Sequence, residues 1–146
     1  MAWIAEGLHR TEQGHLVPAR ASVPSLRSGD EHSVLQVGHH AVVQGHIQHA
    51  GGVVLARNVT VWDHVHGGHE VIVGPGAHVR GEVHAEGRVV IEHGARIDGD
   101  VQAGGDVLLL GDARCADVRA GGDIVIVGSP KAGKLAPGGR IQTRPW

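Results

Sequence analysis

The sequence predicts an all-β chain: a single-domain parallel β-helix (a β-solenoid) of about six triangular rungs, each 17–18 residues long. Three observations predict it. Apolar pairs recur at a fixed period, turn-forming residues recur at the same period between them, and the composition suits a thin core. Gly supplies 24 of 146 residues, Phe and Tyr are absent, and Trp occurs three times. An ordinary core of this size uses aromatic side chains as filler. Val, Ile and Ala stacked in layers, with glycines at the bends, build a narrow one instead.

Residues 1–33 follow the repeat poorly. Val17, Ala19 and Val23 fall one period before Leu35, Val37 and Ala41, as a degenerate first rung would, but Pro18 and Pro24 favour an N-terminal tail or irregular cap. Trp3, Ile4 and Leu8 give this tail a small apolar face for a membrane surface, with no basic cluster to strengthen it. The β-helix is expected over residues 34–141, with 142–146 as a short C-terminal tail.

Within the helix the apolar pairs are Leu35/Val37, Val53/Leu55, Val71/Val73, Val89/Ile91, Val107/Leu109 and Ile124/Ile126, ending near Ile141. Each period divides into three short alternating strands, one per face of a triangular prism. The inward set of the first rung is Leu35, Val37, Ala41, Val43, Ile47 and His49. That of the second is Val53, Leu55, Val59, Val61, Val65 and Gly67. The third offers Val71, Val73, Ala77, Val79, Val83 and Ala85, and the fourth Val89, Ile91, Ala95, Ile97, Val101 and Ala103. Between the strands one corner column holds His40, Asn58, Gly76 and Gly94, and a second holds Gly45, Asp63, Gly81 and Gly99. The third holds Gly51–Gly52, Gly87, Gly104–Gly105, Gly121–Gly122 and Gly138–Gly139. Gly, Asn and Asp tolerate the left-handed backbone that sharp bends use, so all three columns are expected to be left-handed bends. Glycine at this density excludes a helical reading, at about 1 kcal/mol lost for each one inside a helix. The last rung departs from the pattern, with Pro130 and Pro137 blunting a strand edge among Lys131, Lys134, Arg140 and Arg144.

Charge is close to balanced, at −2 with histidines neutral, so no nucleic-acid partner is expected. The single Cys115 has no partner for an intramolecular disulfide, and its inward column makes it a small buried hydrophobe rather than a nucleophile. No run of eighteen apolar residues and no signal peptide is present, which makes a cytoplasmic location the default. Among the 13 histidines, His64, His66 and His69 are the tightest group, and His64 and His69 have an HxxxxH spacing. No third ligand on a distant rung is evident, so they are read as an exposed soluble face and no metal or cofactor is assigned. An outward column stacks His46, His64, Glu82, Asp100 and Asp117. Like charges one rung apart repel, which suggests a lateral contact sensitive to pH or cations. Enzyme signatures are missing: no GxxxxGK[ST] occurs and no loop is long enough for a lid. The chain is therefore expected not to be an enzyme, with no catalytic, cofactor-binding or metal residues.

The run "GPGAHVRGEVHAEGRVVIEHGARIDGDVQAGGDVLL", with its steps "GAHVRGEVHA" and "GARIDGDVQA", resembles the bactofilins, polymer-forming bacterial cytoskeletal proteins. The likeness spans about residues 35–127. It implies a right-handed β-helix that assembles end to end, without nucleotide, into non-polar filaments. It also implies a scaffold role, a location often at the membrane, and itself, with membrane or cell-envelope proteins, as partners. The chain departs from that family in having no Phe near a terminal rung. Its last rungs, "VRAGGDIVIVGSPKAGKLAPGGRI", instead look like the solenoid C-terminal domain of the MinC division inhibitor and related proteins, which implies a dimeric binding module as the alternative. Hexapeptide-repeat acyltransferases and gamma-class carbonic anhydrases share the repeat grammar and form a third, enzymatic alternative. End-to-end growth places the polymer contacts on the terminal rungs. These are Leu35, Val37, Val43 and Ile47 at the N-terminal end, and Ile124, Ile126, Leu135 and Ile141 at the C-terminal end.

Overall fold

The computed structural model describes residues 9–11, 14–28 and 34–144. The described chain is all strand and turn, wound as a parallel β-solenoid. Strand β1 (His9–Thr11) precedes the first rung, which is formed by β2 (Gly14–Val17), β3 (Ser22–Val23) and β4 (Leu26–Ser28). The next rungs are β5 (Val34–Val37), β6 (Val42–Val43) and β7 (Ile47–His49); β8 (Gly52–Leu55), β9 (Thr60–Val61) and β10 (Val65–Gly67); then β11 (Val71–Val73), β12 (His78–Val79) and β13 (Val83–Ala85). They are followed by β14 (Val89–Ile91), β15 (Arg96–Ile97) and β16 (Val101–Ala103), by β17 (Val107–Gly111) and β18 (Val118–Ala120), and by β19 (Ile124–Gly128) and β20 (Leu135–Pro137). Strand β21 (Ile141–Arg144) is the last described strand.

Like strands stack into three faces. A nine-stranded sheet runs β1-β2-β5-β8-β11-β14-β17-β19-β21, a seven-stranded sheet runs from β4 to β20, and a five-stranded sheet runs from β3 to β15. All pairings after β1–β2 are parallel, and β1 lies antiparallel on β2. The five-stranded face continues past β15 only as single bridges, Arg96 to Arg114 and Arg114 to Lys131. There the repeat shortens. Ile97 and Cys115 occupy equivalent places, but Val101 pairs with Val118, so one residue has been lost from the corner between them.

The inward sets read from sequence form one continuous core. Every hydrophobic residue assigned to the four full rungs is at most 4% exposed, and His49, at 2%, is the polar member of the stack. Alternation accounts for this: in a strand successive side chains point to opposite sides, so one residue in two is fixed inward.

Residues 14–28 correct the tail assignment. β2, β3 and β4 pair in register with β5, β6 and β7, and Val17, Val23 and Leu26 complete the core. Val17 lies opposite Val37 and Val23 opposite Val43, two residues out of step with the expected repeat. Residues 29–33 separate β4 from β5, whereas residues 50 and 51 alone separate β7 from β8. That longer connection hides the rung from a fixed-period reading. Pro18 and Pro24 follow β2 and β3 at positions whose equivalents in the next rung, Gly38 and Gln44, donate N–H groups back to the Val17 and Val23 carbonyls. In the first described rung no such acceptor precedes them, so proline is tolerated there. At the other end β21 carries the helix to Arg144, past the expected boundary at 141. The Trp3, Ile4 and Leu8 face lies outside the described residues.

Only the first of the three corner columns is left-handed. Its φ values are 63° at Arg20, 61° at His40 and 57° at Asn58, then 69° at Gly76, 72° at Gly94, 62° at Gly111 and 95° at Gly128. Glycines at the other two corners do a different job. A Cβ on Gly45 would meet Ser25 Oγ, one on Gly81 would stand 2.6 Å from His64 Nδ1, and those on Gly122 and Gly139 would meet Asp106 and Asp123 Oδ1. These four leave room for a polar side chain from the rung before, whereas Gly104, Gly121 and Gly138 let a backbone carbonyl of the preceding rung approach.

Candidate functional site

Those polar side chains form hydrogen-bond ladders along two edges of the prism. On the edge between the five- and seven-stranded faces, Ser25 Oγ accepts the His46 N–H at 3.1 Å and His64 Nδ1 accepts the Glu82 N–H at 3.0 Å. Asp100 Oδ1 accepts the Asp117 N–H at 3.1 Å, and Asp117 Oδ1 the Lys134 N–H at 2.9 Å. This is the outward column expected to carry self-repelling charge, and the structure gives its members a bonding role within the stack. The next edge repeats the device. Asp106 Oδ1 accepts the Asp123 N–H at 2.7 Å, and Asp123 Oδ1 the Arg140 N–H at 2.8 Å. One rung earlier on that edge, Arg88 Nη2 donates to Glu70 Oε2 at 2.7 Å. The basic residues of the last rung thus enter through their main chain: Lys134 and Arg140 close the two ladders.

The two ends of the solenoid differ. At the C-terminal end β20 and β21 are the last strands of their sheets, with no described strand beyond them. Ile124 is fully buried, Ile126 and Leu135 are half-buried against the core, and Ile141 is 46% exposed. Among the described residues, this end leaves the outer edges of β20 and β21 unpaired beside apolar side chains. The four residues expected at the N-terminal end do not reach it. Leu35, Val37, Val43 and Ile47 are at most 2% exposed inside an internal rung, because residues 14–28 form the rung that covers them. Among the described residues the N-terminal edge strands are instead β1, β3 and β4, and the antiparallel β1 lies at the edge of the largest sheet.

A third surface was missed in the sequence reading. On the outer side of the nine-stranded sheet, Val54, Ile72, Val90, Leu108 and Val125 pair rung to rung in one column. Val90 is only 9% exposed and the others are half-buried. The signal was present in the triplets VVL, VIV, VVI, VLL and IVI: strands apolar at consecutive positions, not alternate ones, carry apolar side chains on both faces.

The histidines regroup. Of His64, His66 and His69, only His66 joins a cluster of potential ligands, and its companions are His84 and Glu86 from the next rung. His66 and His84 lie directly opposite each other on β10 and β13, facing outward, with rings stacked at 4.6 Å and 8°. His66 Nε2 stands 3.7 Å from Glu86 Oε1. His64 is engaged by the Glu82 amide and by Asp63 Oδ1, 3.1 Å from its Nε2. Elsewhere, burial alone would raise the Asp98 pKa. The hydrogen bond and charge of His78, reinforced by Arg96, outweigh burial and hold the carboxyl below its usual range.

Cys115 packs against the core in the layer of Ile97, as its column predicts, and is half-buried. Burial, with Asp100 and Asp117 nearby, pushes its thiol up to about 11, which keeps it protonated and a poor nucleophile.

No helix of the described residues is long and apolar enough to cross a membrane. Comparison of the chain with family models, with curated proteins and with solved structures finds no match. A functional reading therefore rests on the solenoid itself: its unlike ends, its apolar outer column and its histidine cluster.

Proposed function

We propose that this chain is a self-assembling structural protein that stacks end to end into nucleotide-independent filaments, a bactofilin-like scaffold rather than an enzyme. The observation that carries the reading is the C-terminal end, where β20 and β21 leave open edges beside Ile126, Leu135 and the half-exposed Ile141. Unpaired strand edges template further strands. A second copy meeting this end about a two-fold axis would pair β21 with β21 and cover those side chains. A second, different two-fold contact at the N-terminal edges of β1, β3 and β4 would let the chain grow without closing and leave the filament non-polar. Membrane or cell-envelope proteins are the partners such a scaffold would organise, from a cytoplasmic position at the membrane.

A second reading is favoured by the outer column Val54, Ile72, Val90, Leu108 and Val125. An apolar sheet face of this kind supports a side-by-side dimer acting as a binding module, as the likeness of the last rungs to MinC implies.

One experiment separates them: negative-stain electron microscopy and light scattering on the full-length chain purified without nucleotide or metal, with Ile141→Lys and Leu108→Lys beside it. Leu108 faces outward, and Ile141 is the half-exposed last member of the inward column of Val107 and Ile124, so circular dichroism is used to check that each variant keeps the fold. Filaments that Ile141→Lys shortens to single units or pairs support end-to-end assembly. Discrete dimers that Leu108→Lys dissociates and Ile141→Lys leaves intact overturn it in favour of the lateral module. A wild-type chain that stays monomeric at high micromolar concentration overturns both.

A further inference from the structure

We propose that His66, His84 and Glu86 form a binding site for a divalent transition-metal ion of the zinc type, a staple across two rungs on the outer seven-stranded face. Three observations carry it. The candidate donor atoms of these side chains all lie within 4.8 Å of one another. His66 Nε2 is shielded from solvent yet has no hydrogen-bond partner, although the side chain as a whole is 39% exposed. A covered ring nitrogen without a hydrogen bond, 3.7 Å from a carboxylate oxygen, is a group that a bound cation would engage. The register then fixes the donors: parallel pairing sets His84 directly opposite His66, and Glu86 follows His84 by two residues at the next bend.

The donor set selects the ion. Two imidazoles and one carboxylate suit zinc and its neighbours in the first transition row, whereas calcium and magnesium favour shells of oxygen ligands. Donors around zinc sit at about 2.0–2.2 Å from the metal, so they lie closer to one another than the spread here. Binding would therefore rotate Glu86, whose side chain is 65% exposed, and turn the two imidazole rings out of their parallel stack so that their nitrogens converge on the ion. Three protein ligands leave a fourth position for water. Because His66 belongs to one rung and His84 and Glu86 to the next, a bound ion ties the two together and stabilises the folded state by mass action.

The test is calorimetric titration of the full-length, chelator-treated chain with zinc chloride, read together with the thermal unfolding midpoint. Glu86→Gln and His84→Gln are compared with His40→Gln, which alters another exposed histidine pair. The expected result is one tight ion per chain and a raised midpoint. Affinity should fall by at least about tenfold in Glu86→Gln and further in His84→Gln, while His40→Gln matches wild type. Glu86 is exposed, so that variant keeps its fold even if His84→Gln does not. Equal zinc affinity in wild type and Glu86→Gln, or no saturable binding to wild type, overturns the proposal. Both outcomes are independent of whether the chain polymerises.

Discussion

The Asp106–Asp123 step is the sharpest test of how this solenoid holds its corners. Two carboxylates stand one rung apart there, and two effects oppose each other. At a rung spacing of about 5 Å their repulsion in water is about 0.8 kcal/mol before salt screening. Against it, Asp106 Oδ1 accepts the Asp123 N–H at 2.7 Å, a short bond to a charged acceptor and half of a ladder that continues from Asp123 to Arg140. Bonds of this kind contribute about 1.5–3 kcal/mol, and an exposed one falls toward the lower figure because water replaces the lost acceptor. Arg88 on one side of the pair and Arg140 on the other, one rung away each, reduce the repulsion further. The bond wins. Asp106→Ala should therefore destabilise the chain by about 1 kcal/mol, as loss of a helix cap does. With an urea slope of about 2 kcal/mol per molar, the midpoint falls by about 0.5 M. Asp106→Asn keeps an acceptor oxygen at the same place and should lose less than half as much. The assay is urea unfolding followed by circular dichroism at low ionic strength. An Asp106→Ala chain as stable as wild type, or more so, would mean that repulsion dominates and would refute the ladder argument.

Two further predictions concern single residues. His40 holds a left-handed backbone at φ 61°, and its pKa is lowered by desolvation and by Arg20, His39 and Arg57. The folded chain then binds protons less readily than the unfolded one, so stability is full above the ordinary histidine value of about 6.5 and declines as pH falls through it. His40→Gly should raise the thermal midpoint at pH 7.5 and shrink its drop between pH 7.5 and 5.5; an equal drop in both proteins would count against this account. Cys115, with its thiol pushed up to about 11, should react with a disulfide reagent at pH 7.5 at least about tenfold more slowly than a free cysteine and recover the full rate in urea. Rapid labelling of the native chain would show that its layer is open.

The sequence by itself determined the rung. Val71, Val73, Ala77, Val79, Val83 and Ala85 could be placed inward from spacing alone, since strand alternation is a local property of the backbone and each rung repeats it. It also located the corners, but not the reason for all of them. The left-handed bends at Asn58, Gly76 and Gly94 follow from residue type, whereas Arg20 and His40 take the same bend only because the stacked corner imposes it. The glycines beside His64, Asp106 and Asp123 are small because a side chain from the preceding rung lies over them, a relation that exists only once rungs are stacked. The first rung was hidden by the longer connection at residues 29–33, which breaks the period without breaking the pairing of Val17, Val23 and Leu26. Tertiary structure alone decided that Leu35 is interior, because an end is defined by what covers it. It alone joined His66 to His84 and Glu86 instead of to His64 and His69. Nearness along the chain spreads histidines around a corner, whereas parallel pairing superposes residues one full turn apart.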